Sequence, residues 1–250
     1  MRILAFLNNQ LGADVFAYLA DQMENIAGLV LHPEKKRKAG EQILEIGRNY
    51  PDLPVFDGSL CNQPSIIEQI KKLDVEIGIS ILFGYKLGGE LLSIFSKGVI
   101  NLHPSLLPYN RGAFPNVWAI TEGTPAGVSL HYMDESFDTG DLIAQREVCV
   151  NYTDTGKTLY EKLEKEGLDL FKATWPLIKR NEQSRKRQNS MRGTEHRIGD
   201  VSKIDYIELD KSYTAREIIN ILRARTFPPH KGAYIEVEGK RIYLSLKLEY

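Results

Sequence analysis

Cysteine is scarce in this 250-residue chain, which has only Cys61 and Cys149, far apart and in no CxxC pair. A disulfide-stapled scaffold is therefore excluded, and the expectation is two reduced, buried thiols in a reducing compartment. Long apolar runs are missing too, and none approaches the roughly 20 residues needed to span a bilayer. The opening MRILAFLNNQLG turns polar too soon for a secretory signal, so the cytoplasm is the expected location. Charge of one sign is not in excess, with 32 basic and 33 acidic residues and a formal net charge of −1. No overall positive field would gather nucleic acid or an anionic membrane. The first loop has no GxGxxG, which argues against a nicotinamide dehydrogenase. The five histidines (His32, His103, His131, His196, His230) show no metal-ligand spacing. There is no internal repeat and no low-complexity tract.

What is present is the balance of a soluble globular protein, 42% apolar and 26% charged. Ile3–Leu7 is a compact apolar run ending in a loop signature, Asn8-Asn9-Gln10-Leu11-Gly12. Ala13–Glu24 then carries Val15, Phe16, Leu19 and Met23 at helical spacing. Strand-like runs follow at Ala27–Leu31, Pro54–Phe56, Ile77–Phe83 and Val99–Leu102, separated by helix-like runs at Gln42–Arg48, Ile66–Leu73 and Leu87–Phe95. Strands of near-continuous apolar composition alternating with helices predict a Rossmann-like α/β fold, a mostly parallel sheet with helices on both faces.

After residue 125 the pattern changes. Gly127–Met133 and Leu142–Val150 read as strands around a polar turn, and Thr158–Lys179 as a long amphipathic helix with Thr158 and Glu161 spaced as a capping box. Arg180–Thr194 is polar and basic, with Arg185, Lys186, Arg187 and Arg192, and reads as a linker. Beyond it are a short strand (Tyr206–Leu209), a helix (Thr214–Arg225) and a β-hairpin pairing Ala233–Val237 with Arg241–Leu246 around Glu238-Gly239. The expected division is a catalytic domain, residues 1–182, and a small α+β C-terminal domain, residues 183–250. The hairpin alternates apolar and polar residues on a terminal element that needs a partner surface, so a homodimer is expected.

Two segments carry chemistry. In Ile100-Asn101-Leu102-His103-Pro104, an Asn and a His two apart share one side at the carboxyl end of a strand, where open parallel sheets bind ligands. A strand cap satisfying loop backbone is the competing reading. In Asp134-Glu135-Ser136-Phe137-Asp138-Thr139-Gly140-Asp141, four acids crowd a turn. Turn chemistry alone accounts for Asp and Gly there.

Taken together, INLHPSLLPYNRG, then Pro115, Trp118, Gly127-Val128-Ser129 and DTGDLI, resemble the folate-dependent formyltransferases. That family includes enzymes acting on methionyl-tRNA, glycinamide ribonucleotide and nucleotide-linked amino sugars. The likeness is close over about residues 75–165 and looser over the rest of residues 1–180. It implies a formyl donor, 10-formyltetrahydrofolate, and a catalytic set of Asn101, His103 and Asp138, with no metal. It also implies that the pterin ring lies against Phe83, Gly84, Tyr85, Lys86 and Leu87 and the turn Glu135, Ser136 and Phe137. Core packing is the competing reading for Phe83 and Leu87.

The resemblance bears on the acceptor as well. The purine-pathway enzymes carry a glycine-rich phosphate loop after the first strand, where this chain has Asn8-Asn9-Gln10-Leu11-Gly12. The tRNA enzymes present basic surfaces, which a chain of net charge −1 matches poorly. The tail Arg223-Ala224 … Pro228-Pro229 … Gly232-Ala233 looks like the corresponding segment of sugar N-formyltransferases. The implied acceptor is the amine of a nucleotide-linked amino sugar, met by Asn9, Tyr109, Arg111 and Gly112. Methionyl-tRNA or glycinamide ribonucleotide as acceptor, or a non-catalytic folate- or sugar-binding module, are the alternatives.

Overall fold

The computed structural model describes residues 1–189 and 193–249. In chain order the strands are β1 (Arg2–Leu7), β2 (Asn25–Leu31), β3 (Val55–Asp57), β4 (Ile77–Ile81), β5 (Val99–His103), β6 (Arg111–Gly112), β7 (Gly127–Tyr132), β8 (Leu142–Glu147), β9 (Glu195–His196), β10 (Tyr234–Val237) and β11 (Lys240–Tyr243). The α-helices are α1 (Asn9–Asp21), α2 (Gly40–Gly47), α3 (Pro64–Lys71), α4 (Gly89–Leu92), α5 (Pro115–Thr121), α6 (Gly156–Lys179), α7 (Ser202–Asp205) and α8 (Ala215–Arg225). They belong to two compact units. One holds Met1–His103, Ser129–Gln145 and Gly167–Gln188; the other holds Pro104–Val128, Arg146–Glu166 and Asn189–Tyr250.

The first unit contains the sheet, whose strand order is β3-β2-β1-β4-β5-β7-β8. The ladders from β3 to β5 are all parallel, and β7 returns antiparallel to β5. The interior strands are buried on both faces, which is why β1, β2 and β4 are mostly apolar and buried along nearly their whole length rather than at alternate residues. On one side Phe6 meets Phe83 and Phe95 edge-to-face, at 5.4 and 6.1 Å between ring centroids. Elsewhere the later turns of α6 stack Phe171 on Trp175, whose indole N–H donates to the buried Glu24 at 2.9 Å. Lys179 pairs with that same carboxylate at 2.7 Å, so the buried acid is both charge-compensated and hydrogen-bonded.

The second unit is built around α5, α8 and the start of α6. A side chain on Gly156 would run into the carbonyl of Ala224, so only glycine lets the start of α6 approach the end of α8 this closely. Arg223 is buried and donates from Nη1 to the carbonyls of Asn151 (3.0 Å), Tyr152 (2.9 Å) and Asp154 (3.3 Å). The hairpin of β10 and β11 turns through Glu238 and Gly239, both with positive φ, as a tight two-residue connection requires.

Several sequence expectations need correction. Asn9 to Gly12 open α1 rather than a loop, with Asn9 at a φ of 61° following the extended Asn8. Only Gly89–Leu92 of the expected helix 87–95 is helical. The cap of α6 lies earlier than Thr158: Thr155 and Thr158 exchange amide-to-hydroxyl bonds of 2.9 and 3.2 Å, so Thr155 heads the helix. Cys61 is buried, and burial pushes its thiol up to about 11, whereas Cys149 is exposed. Tyr206–Leu209 is reduced to a single bridge between Tyr206 and Tyr234. Finally, the linker residues around Lys186 pair with Leu142 at the start of β8. Arg192, counted in that basic stretch, lies outside the described residues.

Candidate active site

The carboxyl end of β5 presents Asn101 and His103, and both face Asp138. The Asn101 amide nitrogen lies 3.4 Å from Asp138 Oδ1, and His103 Nδ1 lies 3.6 Å from Asp138 Oδ2. Antiparallel pairing with β7 sets His131 directly opposite Asn101 and Ser129 opposite His103. Asn101, His103 and His131 are buried, while Asp138 retains slight exposure. All four side chains belong to the first unit.

Sequence reasoning noticed His131 only as one of five histidines. Its Nδ1 lies 2.8 Å from the Tyr132 carbonyl, an acceptor only, so Nδ1 carries a proton. Its Nε2 lies 3.1 Å from Asn101 Nδ2 and 3.4 Å from Asp138 Oδ1. Those two contacts imply opposite protonation states. The shorter one, and the cost of an imidazolium with one per cent exposure, favour a bare Nε2 that accepts from Asn101. Asn101 is thereby oriented with its NH₂ toward His131 and Asp138. The signal available in sequence was the period-two pattern Ser129, His131 on an otherwise apolar strand.

The four acids of the turn divide the work. Asp134 accepts from the Ser136 amide (2.9 Å) and the Thr139 hydroxyl (2.7 Å) and so shapes the turn. The Glu135 carboxylate occupies the space where a side chain on Gly89 would stand. Asp141 pairs with Arg185 at 2.8 Å. Only Asp138 turns inward, from a backbone φ of 52°.

Beside this cluster lies the loop from Phe83 to Gly88. His32 Nε2 accepts from the Gly84 amide at 3.1 Å, and its ring is 4.8 Å from that of Tyr85 and 5.4 Å from that of Phe83. Burial first, then Lys36 and Lys38, pulls His32 below the ordinary imidazole value against the opposing Asp57. Asn62 holds the loop from the other side, donating to the Lys86 carbonyl at 2.8 Å and accepting from the Gly88 amide at 2.7 Å. Lys86 Nζ lies 5.7 Å from the centre of the Phe137 ring, so the loop and the Glu135–Phe137 turn form adjoining walls. Phe137 is exposed. The side chain of Leu87 is buried in the core beside Leu91 and Phe95, which leaves only its main chain to line a binding site.

The residues expected at the acceptor are divided between the two units. Asn9 belongs to the first unit, at the head of α1. Tyr109, Arg111 and Gly112 belong to the second. There Arg111 is buried and its amide donates to the Thr194 carbonyl at 2.9 Å. Gly112 pairs with His196, whose ring stacks on Trp118 at 4.1 Å.

A buried amide, a buried imidazole and a partly exposed carboxylate thus converge at the carboxyl end of a parallel strand, which brings hydrogen-bond donors and a proton acceptor together. Residues 6–174 match the formyl transferase family, and residues 200–250 match the dimerization C-terminal domain of N-formyltransferases. The chain belongs to the formyl transferase family and is a formyltransferase. It is 35% identical to the methionyl-tRNA formyltransferase of Halothermothrix orenii over 222 residues, covering 86% of this chain and 68% of that protein. Among solved structures, a 4-N formyltransferase from Francisella tularensis superposes with a TM-score of 0.85 at 30% identity, covering 100% of this chain and 98% of that one. The formyltransferase PseJ from Anoxybacillus kamchatkensis, solved with UDP-4,6-dideoxy-4-formamido-L-AltNAc and tetrahydrofolate, has a TM-score of 0.58 at 28% identity over 81% of this chain and 89% of that one. Among the described residues, no group of three or more His, Cys, Asp or Glu side chains is placed to hold a metal ion.

Proposed function

We propose that the chain transfers the formyl group of 10-formyltetrahydrofolate to the amine of a nucleotide-linked amino-deoxy sugar, with Asn101, His103 and Asp138 as its catalytic set. The observation that carries the chemistry is the convergence of the Asn101 amide and the His103 imidazole on the Asp138 carboxylate. The amine nitrogen attacks the formyl carbon, and negative charge grows on the formyl oxygen. His103, protonated beside the carboxylate, donates to that oxygen. Asn101 adds a second donor by exchanging its long 3.4 Å contact with Asp138 for the oxyanion while keeping its bond to His131. Asp138 accepts the amine proton, directly or through water. The tetrahedral carbon then releases N10 of the folate, which takes up a proton to leave tetrahydrofolate and the formamide.

For the donor, the loop of Phe83, Gly84, Tyr85, Lys86 and Leu87 and the turn of Glu135, Ser136 and Phe137 supply aromatic faces and backbone groups suited to a flat pterin. For the acceptor, the likeness to the Francisella enzyme, called a 4-N formyltransferase, extends over nearly all of both chains, and PseJ was solved with a 4-formamido sugar nucleotide. A nucleoside-diphosphate 4-amino sugar is the acceptor class we favour, with Asn9, Tyr109, Arg111 and Gly112 as its contacts. The division into a catalytic part, residues 1–182, and a C-terminal part, residues 183–250, that pairs two copies belongs to the same proposal.

A second reading, methionyl-tRNA as acceptor, has the identity to the Halothermothrix enzyme in its favour. Purified protein and 10-formyltetrahydrofolate, offered nucleotide-linked 4-amino sugars and methionyl-tRNA in parallel, separate the two. Turnover of the sugars alone is expected; turnover of methionyl-tRNA alone overturns the acceptor assignment.

A further inference from the structure

We infer that Gln188, in the segment that follows α6, is a positioning residue that aims Asp138 at Asn101 and His103. This rests on the catalytic reading of those three residues. Asp138 stands in the left-handed backbone region, at a φ of 52°, which aspartate tolerates without being held there, so aiming its carboxylate needs a further constraint. The side-chain amide of Gln188 supplies that constraint. Its Nε2 donates to the Asp138 carbonyl and to the Gly140 carbonyl, at 2.8 Å each. Two N–H groups thus meet two acceptors that straddle the turned peptide. At Gly140 a Cβ would collide with the Tyr132 carbonyl, so the turn is pressed closely against β7.

The rest of the segment brings Gln188 to this spot. Gln183 donates to the Tyr132 hydroxyl and Ser184 to the Ile143 carbonyl, both at 2.8 Å. Arg185 pairs with Asp141 and lies 4.5 Å over the Tyr132 ring. Lys186 and Leu142 exchange backbone bonds of 2.7 and 2.9 Å. Four consecutive attachments to β7, β8 and the turn leave the amide of Gln188 little choice of partner. A displacement of the carboxylate by an ångström would weaken its contacts with both Asn101 and His103, and misplacement on that scale costs about 10²-fold in rate.

The test replaces Gln188 by Met, which keeps the length and removes both donors, with Lys186→Ala as the control because the Lys186 side chain is exposed and only its main chain pairs. Turnover is followed with 10-formyltetrahydrofolate and a nucleoside-diphosphate 4-amino sugar. The ring nitrogens of His103 are followed by NMR against pH in the free enzyme. The expected result for Gln188→Met is a kcat at least about tenfold lower, a donor KM within about threefold of wild type, and a His103 titration midpoint moved to lower pH as the carboxylate withdraws. Lys186→Ala should match wild type in all three. An unchanged His103 titration with kcat within twofold of wild type overturns the inference, and the titration decides it whichever amine is the acceptor. Asp138→Asn separates the two levels: if it leaves turnover intact, the catalytic reading fails; if it abolishes turnover while Gln188→Met does not, only the positioning role fails.

Discussion

At the scale of single residues, the site depends on what each hydrogen-bonding atom can and cannot do. On the proposed roles, His103→Ala removes a donor to the developing oxyanion, and Asp138→Asn removes the proton acceptor. Each is expected to lower kcat by about 10²–10³ in a protein that still unfolds cooperatively, since loss of one such group is worth that much. Activity near wild type in either purified variant would reject the assignment. His32 gives a pH signature of a different kind. Its Nε2 must be bare to accept the Gly84 amide, and its native state already disfavours the charged form. For a base whose folded pKa is depressed, the stabilisation is complete above the ordinary value near 6.5 and is lost as pH falls toward the folded one. A proton arriving on Nε2 turns an acceptor into a donor facing another donor. The donor KM of the wild type should therefore rise several-fold between about pH 7 and pH 5. His32→Gln, which keeps an acceptor that cannot titrate, should flatten that rise; an identical pH profile in the variant would show that the loop does not depend on this nitrogen.

At the scale of elements, Arg223 ties the end of α8 to the chain before α6 through three carbonyls and lies over the Tyr152 ring at 5.2 Å. Arg223→Met keeps much of the packing and strands those acceptors, so destabilisation of roughly 2–4 kcal/mol is expected in urea unfolding. A change below about 0.5 kcal/mol would mean that water replaces the guanidinium without loss. The inner parallel strands were readable in the sequence because they are mostly apolar runs closed by turn signals, and Asn101 and His103 because period two on a named strand fixes their side. The Thr214–Glu217 box at α8 was equally plain. What escaped was set by partners distant in sequence. His131 looks like one polar residue on a buried strand until its neighbour Asn101 is known. Gln188 sits in a stretch whose composition says linker, because its attachments are backbone and side-chain amide bonds that leave no apolar pattern. α5 was missed since its start, Phe114 at a φ of 57° before Pro115, follows loop chemistry rather than a cap motif.

At the scale of the whole molecule, residues 200–250 match a domain described by its dimerization, and in the same stretch Leu209, Val237, Ile242 and Tyr243 are exposed apolar side chains. Light scattering is expected to give about twice the chain mass of 28.4 kDa at micromolar concentration. Ile242→Asp, which places a charge on the hairpin face that Ile242 shares with Val237, should shift the population toward single chains. A mass of one chain for the wild type at all concentrations would leave the exposed hairpin without the role assigned to it.

The unit that holds the Asn101, His103 and Asp138 cluster is assembled from three separate stretches, the last of which runs from Gly167 to Gln188. A nascent chain that has just delivered Asn101, His103 and Asp138 from the ribosome therefore has these side chains without the Gln188 amide that bonds the Asp138 turn. Some fifty residues separate Asp138 from Gln188. Synthesis at 5–20 residues per second puts roughly 3–10 seconds between the two. During that interval most of the sheet has been made while the Asp138 turn still lacks its Gln188 bonds, so on the proposed roles catalytic competence arrives late in translation.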